Sequence, residues 1–405
     1  MLIAHSGVRM LNLYFGRNMY FKPIKILKFL CCFFAIISLG CKEVYQPPFI
    51  IPRLGYLVVE GFINSQGVTN IKLTRSLQLG SGKLSGELGA LVRVEGENNT
   101  QFPLSEKGQG LYSADQLPLQ SNVKYRLYVK TFNAKEYISD YSQVRNTPAI
   151  DSIEWERADG VQIYINSHDP QNTANYYRWE FDETWKFQSA HRSILKYVRN
   201  GVGTITGVAY RTTEESDKLY TCWRTEGADK ILTGTTVQLS SDSIGHIPIT
   251  YIPRKSVKIS ILYSINVRQF AINEAEYNFY QTMKKTTEQL GTIFDPQPTQ
   301  IAGNIHCKTD PSEIVIGYIS VSQAQEKRIF ISNAEVPGWG YLPDCPETPV
   351  ANKPDQLILA GAQSLVPTIP RIFTPSGLLD TINVAGSACV DCTTLGTNIK
   401  PSFWP

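Results

Sequence analysis

The chain lacks several things, and each lack excludes a class of protein. Its clearest apolar run, residues 30–40, is about half of the roughly 20 residues a membrane-spanning helix needs. Charge of one sign is also missing. With 39 basic against 36 acidic residues, a net charge of +3, and no basic stretch interleaved with aromatics, nucleic acid is not an expected partner. His168, His191, His246 and His306 form no HExxH or other short metal spacing, and there is no G-x-S-x-G elbow. The expectation is a noncatalytic protein without a metal or cofactor. Methionine numbers 4 against 21 tyrosines and 17 phenylalanines, a balance that favours strands over helices.

What is present begins with Lys22, Lys25 and Lys28, followed by the apolar run and the small-residue close at Ser38, Leu39 and Gly40. That is the layout of a secretory signal peptide over 1–40, with 1–18 read as a mis-called start before Met19. "SLGC" resembles the lipobox of bacterial lipoproteins and makes Cys41 the lipid attachment site, although Ser38 stands where that pattern prefers Leu. The alternative is an ordinary signal peptide with Cys41 free or disulfide-bonded. Lys42 and Glu43 resemble a short export signal for the outer face of the outer membrane; the plainer reading is a solvated linker over 41–54 held extended by prolines. Two or three acyl chains anchor stably where one binds reversibly. The expected location is the outer membrane, lipid-anchored and facing the cell exterior.

From Tyr56, "YLVVEGFINSQGVTNIKLTRS" alternates apolar and polar residues around a Ser-Gln-Gly turn, which predicts an antiparallel hairpin. Further short alternating runs such as "KYRLYVK" predict a β-sandwich over 55–147. Pro148 marks a joint, and a second β-rich domain is expected over 150–336, with a polar loop at about 188–218. A helix is predicted over 273–290: Asn273 caps it, Glu276 completes a capping box, and Ala275, Phe279, Met283 and Leu290 share a face beside Tyr280. Residues 337–405, rich in Pro and Gly, are expected to be irregular. The fold class is mainly β, with two β-sandwich domains of immunoglobulin, fibronectin-III or carboxypeptidase-regulatory-like type, one helix and a disulfide-stapled C-terminal segment.

In an oxidising compartment cysteines pair with each other. Cys345 is expected to bond Cys389 or Cys392, with Cys222 taking the remaining thiol and Cys307 left free, although spacing does not fix connectivity. "CVDC" lacks the further ligands a zinc site requires. "GSGK" at 80–83 reads as a turn, as do the Asp-Pro pairs at Asp169, Asp295 and Asp310, for which calcium oxygens are the other possibility. Six tryptophans and many tyrosines offer a sugar-stacking platform, but most, such as Trp179 and Phe181 on "YYRWEF", fit better as a sheet face and its core.

The ordered segments "YLVVEGFI", "IKLTRS", "GALVRVEGE", "GLYSAD", "TPAIDSI", "YYRWEFDETW", "GTIFDPQPTQIAGNI", "VIGYISVS" and "CVDCTTLGTNIKPSFW" together resemble the outer-membrane lipoproteins of the domain of unknown function 4249 family. The resemblance implies a surface lipoprotein that accompanies a TonB-dependent outer-membrane receptor in nutrient uptake, held to membrane lipid by its acyl anchor. It implies no catalytic residue, and it places a noncysteine residue where Cys307 stands. A stand-alone glycan-binding or adhesive lipoprotein is the first alternative, and a hydrolase with an unfamiliar site the second.

Overall fold

Period-two alternation turns one row of each strand inward. In the strand Leu57–Asn64, Leu57, Val59 and Ile63 are buried while Glu60 is exposed. Gly61 sits in the inward row at φ +125°, where a Cβ would lie 2.2 Å from the Asn70 carbonyl oxygen. Glycine is what permits the close pairing with Thr69–Arg75. The computed structural model describes residues 55–77, 85–288 and 303–405. Cys41, Lys42, Glu43, the 80–83 turn and Asp295 lie outside them. Among the described residues no helix is long and apolar enough to cross a membrane.

The chain is mainly β, built from several sheets. The predicted hairpin is present, and its sheet has eleven strands. Three of those strands arrive from far along the sequence. Ile305–Cys307 pairs with Glu136–Ser139, while Val315–Ile316 and Val321–Ser322 pair in parallel with Leu57–Asn64. Ile305, Val315, Ile319 and Val321 therefore complete the first core beside Leu57, Ile71 and Tyr125, although the sequence grouped them with the domain at 150–336. Parallel neighbours need a long crossover. Here most of the second lobe lies within that crossover, and strands of two or three residues are too short to show a period.

In the second lobe, a three-stranded sheet (Ile150–Arg157, Val161–His168, Ser243–Ile252) shares its core with a five-stranded sheet centred on Tyr176–Gln188 and Leu262–Ala271. Ile163 and Ile165 from the first sheet belong to one buried cluster with Trp179, Phe181, Ile265 and Val267 from the second.

Two expectations are corrected in a smaller third lobe. The stretch 188–218 is a hairpin, Leu195–Arg199 with Ile205–Tyr210, leading into helix α1 (Thr213–Tyr220). Thr212 and Glu215 form a reciprocal capping box on α1. The region 337–405 contains a three-stranded sheet (Thr348–Ala351, Leu379–Gly386, Leu365–Phe373) and further helices. Four α-helices are present among the described residues rather than one: α1, α2 (Glu274–Glu288), α3 (Pro354–Ala362) and α4 (Ser387–Val390). Pro367 and Pro370 disguised Leu365–Phe373. It is an edge strand, where a missing N–H faces outward at little cost.

Candidate functional site: a charged cavity between the lobes

Two cavities, of about 410 and 230 Å³, share Glu60, Arg178, Glu180 and Tyr280 in their walls. They lie where Leu57–Asn64 of the first lobe, Tyr176–Gln188 of the second and helix α2 come together. Alternation along Tyr176–Gln188 sends Trp179 and Phe181 into the second core and turns Arg178, Glu180 and Asp182 to the opposite face. That face is covered at Arg178, which is only 8 % exposed. Its guanidinium carbon stands 4.4 Å from the Phe270 ring centroid and 5.0 Å from that of Tyr280.

A charge ladder runs from this arginine. Arg178 Nη1 donates to Glu180, whose other oxygen lies 3.5 Å from Arg268 Nη2, and Arg268 Nη1 donates to Asp182 at 2.5 Å. Burial works to raise the Glu180 pKa, but Arg178 and Arg268 outweigh it and hold the carboxyl below its ordinary value. Burial likewise works against the Arg178 charge, yet Tyr280, Glu180 and Glu276 outweigh it and raise the arginine pKa. One atom is left over. Arg178 Nε is buried with no hydrogen-bond partner.

Helix α2 supplies the second orphan. Asn273 caps the helix as predicted, accepting from the Glu276 backbone N–H at 2.7 Å. The Glu276 side chain does not reach back to complete the box. It turns inward, 1 % exposed, beside buried Phe279, while Ala275 of the expected apolar face is exposed. Ser320 Oγ donates to its Oε1 at 3.1 Å, and its Oε2 has no partner. Burial drives the carboxyl pKa up to about 7 against the opposing attraction of Arg178, the Ser320 hydrogen bond and Arg145. Burial also takes the Tyr280 phenol up to about 12. An unpaired buried polar atom costs about 1 to 3 kcal/mol. Two within one junction mark a place that the protein's own groups leave incomplete.

The cavity walls contain no histidine, serine or cysteine among the described residues, so what they offer a ligand is charge, hydrogen bonds and apolar surface. Among the described residues no cluster of His, Cys, Asp or Glu is placed to hold a metal ion. The histidines stay apart: His168 meets Asp151, His191 the Cys345 carbonyl, His306 Asp140, and His246 stacks on Tyr164. The Asp169 carboxylate accepts from the backbone N–H groups of Gln171, Thr173 and Ala174, which is a turn, and Asp310 likewise accepts from Ser312.

The predicted cysteines resolve into Cys222–Cys392 and Cys345–Cys389, with Cys307 free and buried. Beside the second bridge is another cavity of about 420 Å³, lined in part by Trp185, Phe187, Tyr341 and Leu342. Four tryptophans, Trp179, Trp185, Trp339 and Trp404, are buried, and Trp155 and Trp223 are half-buried. Sequence reasoning missed Arg178, Glu180, Glu60 and the inward role of Glu276. Only Glu276 carried a signal, since it falls in helical step with Phe279, Tyr280 and Met283.

These features define a class first: a mainly β protein of sandwich type, with a disulfide-held C-terminal lobe and a charged cavity at the junction of its two larger lobes. Within that class the chain belongs to the family described as Domain of unknown function (DUF4249), whose model matches residues 44–328. The third-lobe sheet beyond residue 328 lies outside that match. No curated protein matches the sequence. Among solved structures the chain is similar, at 9 % identity and a TM-score of 0.15, to Chitinase ChiA74 from Bacillus thuringiensis. That likeness covers 49 % of this chain and 28 % of the other, and at such a score it carries no argument.

Proposed function

We propose that this chain is a noncatalytic lipoprotein of the outer membrane, anchored through Cys41, that captures a ligand at the cell surface for a TonB-dependent transporter. The observation that carries the capture reading is the junction cavity, walled by both lobes, with Arg178 Nε buried and unpartnered at its edge. A group kept charged inside protein without a full set of partners is costly, and a ligand that supplies the missing partner recovers the cost. Family membership supports the transporter partnership, because the resemblance in the sequence points to lipoproteins that accompany such receptors. Confinement by an acyl anchor raises the effective concentration of a receptor in the same membrane. The glycan-binding alternative draws less support from the tryptophans, four of which are buried, than from the exposed tyrosines Tyr141, Tyr210 and Tyr251.

Affinity purification from gently solubilised outer membranes tests the partnership. A stoichiometric β-barrel receptor is expected with the lipoprotein, and recovery of the lipoprotein alone would contradict the proposal.

A further inference from the structure

The unpaired charges of the junction cavity carry both signs, and that limits the chemistry of what fits there. Glu180 and Asp182 are taken up by Arg178 and Arg268. Among the described residues three groups in the walls have no protein partner for their charge or hydrogen bond: the carboxylate of Glu60, the ammonium of Lys230 and the Nε–H of Arg178. Glu60 and Lys230 are open to solvent and make no ion pair among the described residues, although both face the same cavity.

A simple anion would satisfy Lys230 and Arg178 but meet Glu60 with the wrong sign. A simple cation would satisfy Glu60 alone. A neutral polyol could stack on Tyr280, which lines both cavities, but would leave the charges of Glu60 and Lys230 unanswered. A zwitterion satisfies all three, its ammonium at Glu60 and its carboxylate at Lys230 and Arg178, through charge-assisted hydrogen bonds. The adjoining cavity of about 230 Å³ is lined by Val58, Phe279, Met283 and Ile316, which suits an apolar side chain. Its wall is set by close backbone approach: Gly317 has φ +140°, and a Cβ there would lie 2.1 Å from the Val59 carbonyl oxygen.

We infer that the junction cavity binds a short peptide with free amino and carboxyl termini and an apolar side chain. This rests on the capture reading above and names its ligand class.

The test is isothermal titration of the full lipoprotein in detergent with synthetic tripeptides of Ala, Leu and Met, in free, N-acetylated and C-amidated forms. Free tripeptides are expected to bind, and either blocking group to weaken binding by about tenfold, the loss of one charge-assisted hydrogen bond. Glu60→Gln should weaken free peptides about tenfold and bind acetylated peptides as the wild type does. Lys230→Gln should do the same toward amidated peptides. Equal binding of free and blocked peptides, or no binding of any by the wild type, would overturn the inference. If no tripeptide binds while a receptor still copurifies, the ligand class falls and the transporter partnership stands; if tripeptides bind and no receptor copurifies, the reverse holds.

Discussion

Gln269 and Glu276 are both buried polar side chains near the meeting of the lobes, at 0 % and 1 % exposed, yet they end differently. Gln269 is closed. Its Oε1 accepts from Trp179 Nε1 at 2.8 Å, and its Nε2 donates to the Pro148 carbonyl at 2.9 Å and to Ser167 Oγ at 2.8 Å. Asn304, which exchanges two 2.8 Å bonds with the Ile319 backbone, is closed in the same way. Glu276 is open, with one oxygen unpaired, and Arg178 nearby has an unpaired nitrogen. Satisfied buried polar groups fix how the elements they join pack. An unsatisfied one in a cavity wall, as at Arg178, is a place that a ligand group can complete. The two sheets of the second lobe are thus tied by a sealed polar contact at Gln269, while the junction between the lobes is left incomplete at Arg178.

The largest effect should follow from breaking the sealed side. Gln269→Leu leaves Trp179 Nε1 and the Pro148 carbonyl without partners, and two such groups cost about 3 kcal/mol or more. A lowered urea midpoint with an unchanged m-value is expected. On the open side the effect depends on pH. The Glu276 carboxyl is raised from 4.5 to about 7, so between those values the folded state holds a proton that the unfolded chain has released. Its contribution to stability is full below the unfolded pKa and is lost as pH rises through the folded one. Relative to Glu276→Gln, the wild type should lose about 2 to 3 kcal/mol between pH 5 and pH 8. Parallel stability profiles for the two proteins would remove the distinction between the sites. The smallest effect belongs to Glu60→Gln, an exposed group with no partner, which should change stability by less than about 0.5 kcal/mol while weakening tripeptide binding.

How much of this was legible in the sequence depended on how local each signal was. The hairpin at Leu57–Asn64 and Thr69–Arg75 and the core row Trp179, Phe181 are written in alternation and came through. The Asn273 cap also came through, because capping is a contact within one helical turn. Counting thiols picked out the four bonded cysteines and left Cys307 free, but it did not decide which of Cys389 and Cys392 meets Cys345. The return of 305–322 to the first sheet did not come through, since its strands carry two or three residues each and their partners lie far away in the chain. The third-lobe sheet was hidden by prolines that an edge strand tolerates. Glu276 was assigned to a box it does not close, because its pattern fits both a cap and a buried stripe. Arg178 and Glu180 occupy the strand face opposite Trp179 and Phe181. Only the helix laid over that face makes them a site, and no local pattern records which helix covers which sheet.

Hydrogen exchange with and without a free-termini tripeptide measures directly where ligand binds. The account predicts slowed exchange in 57–61, 227–232 and α2, three of the segments that wall the junction cavity, with the third lobe unchanged. Protection confined to the cavity beside Cys345–Cys389, or no protection in the junction segments, would contradict it.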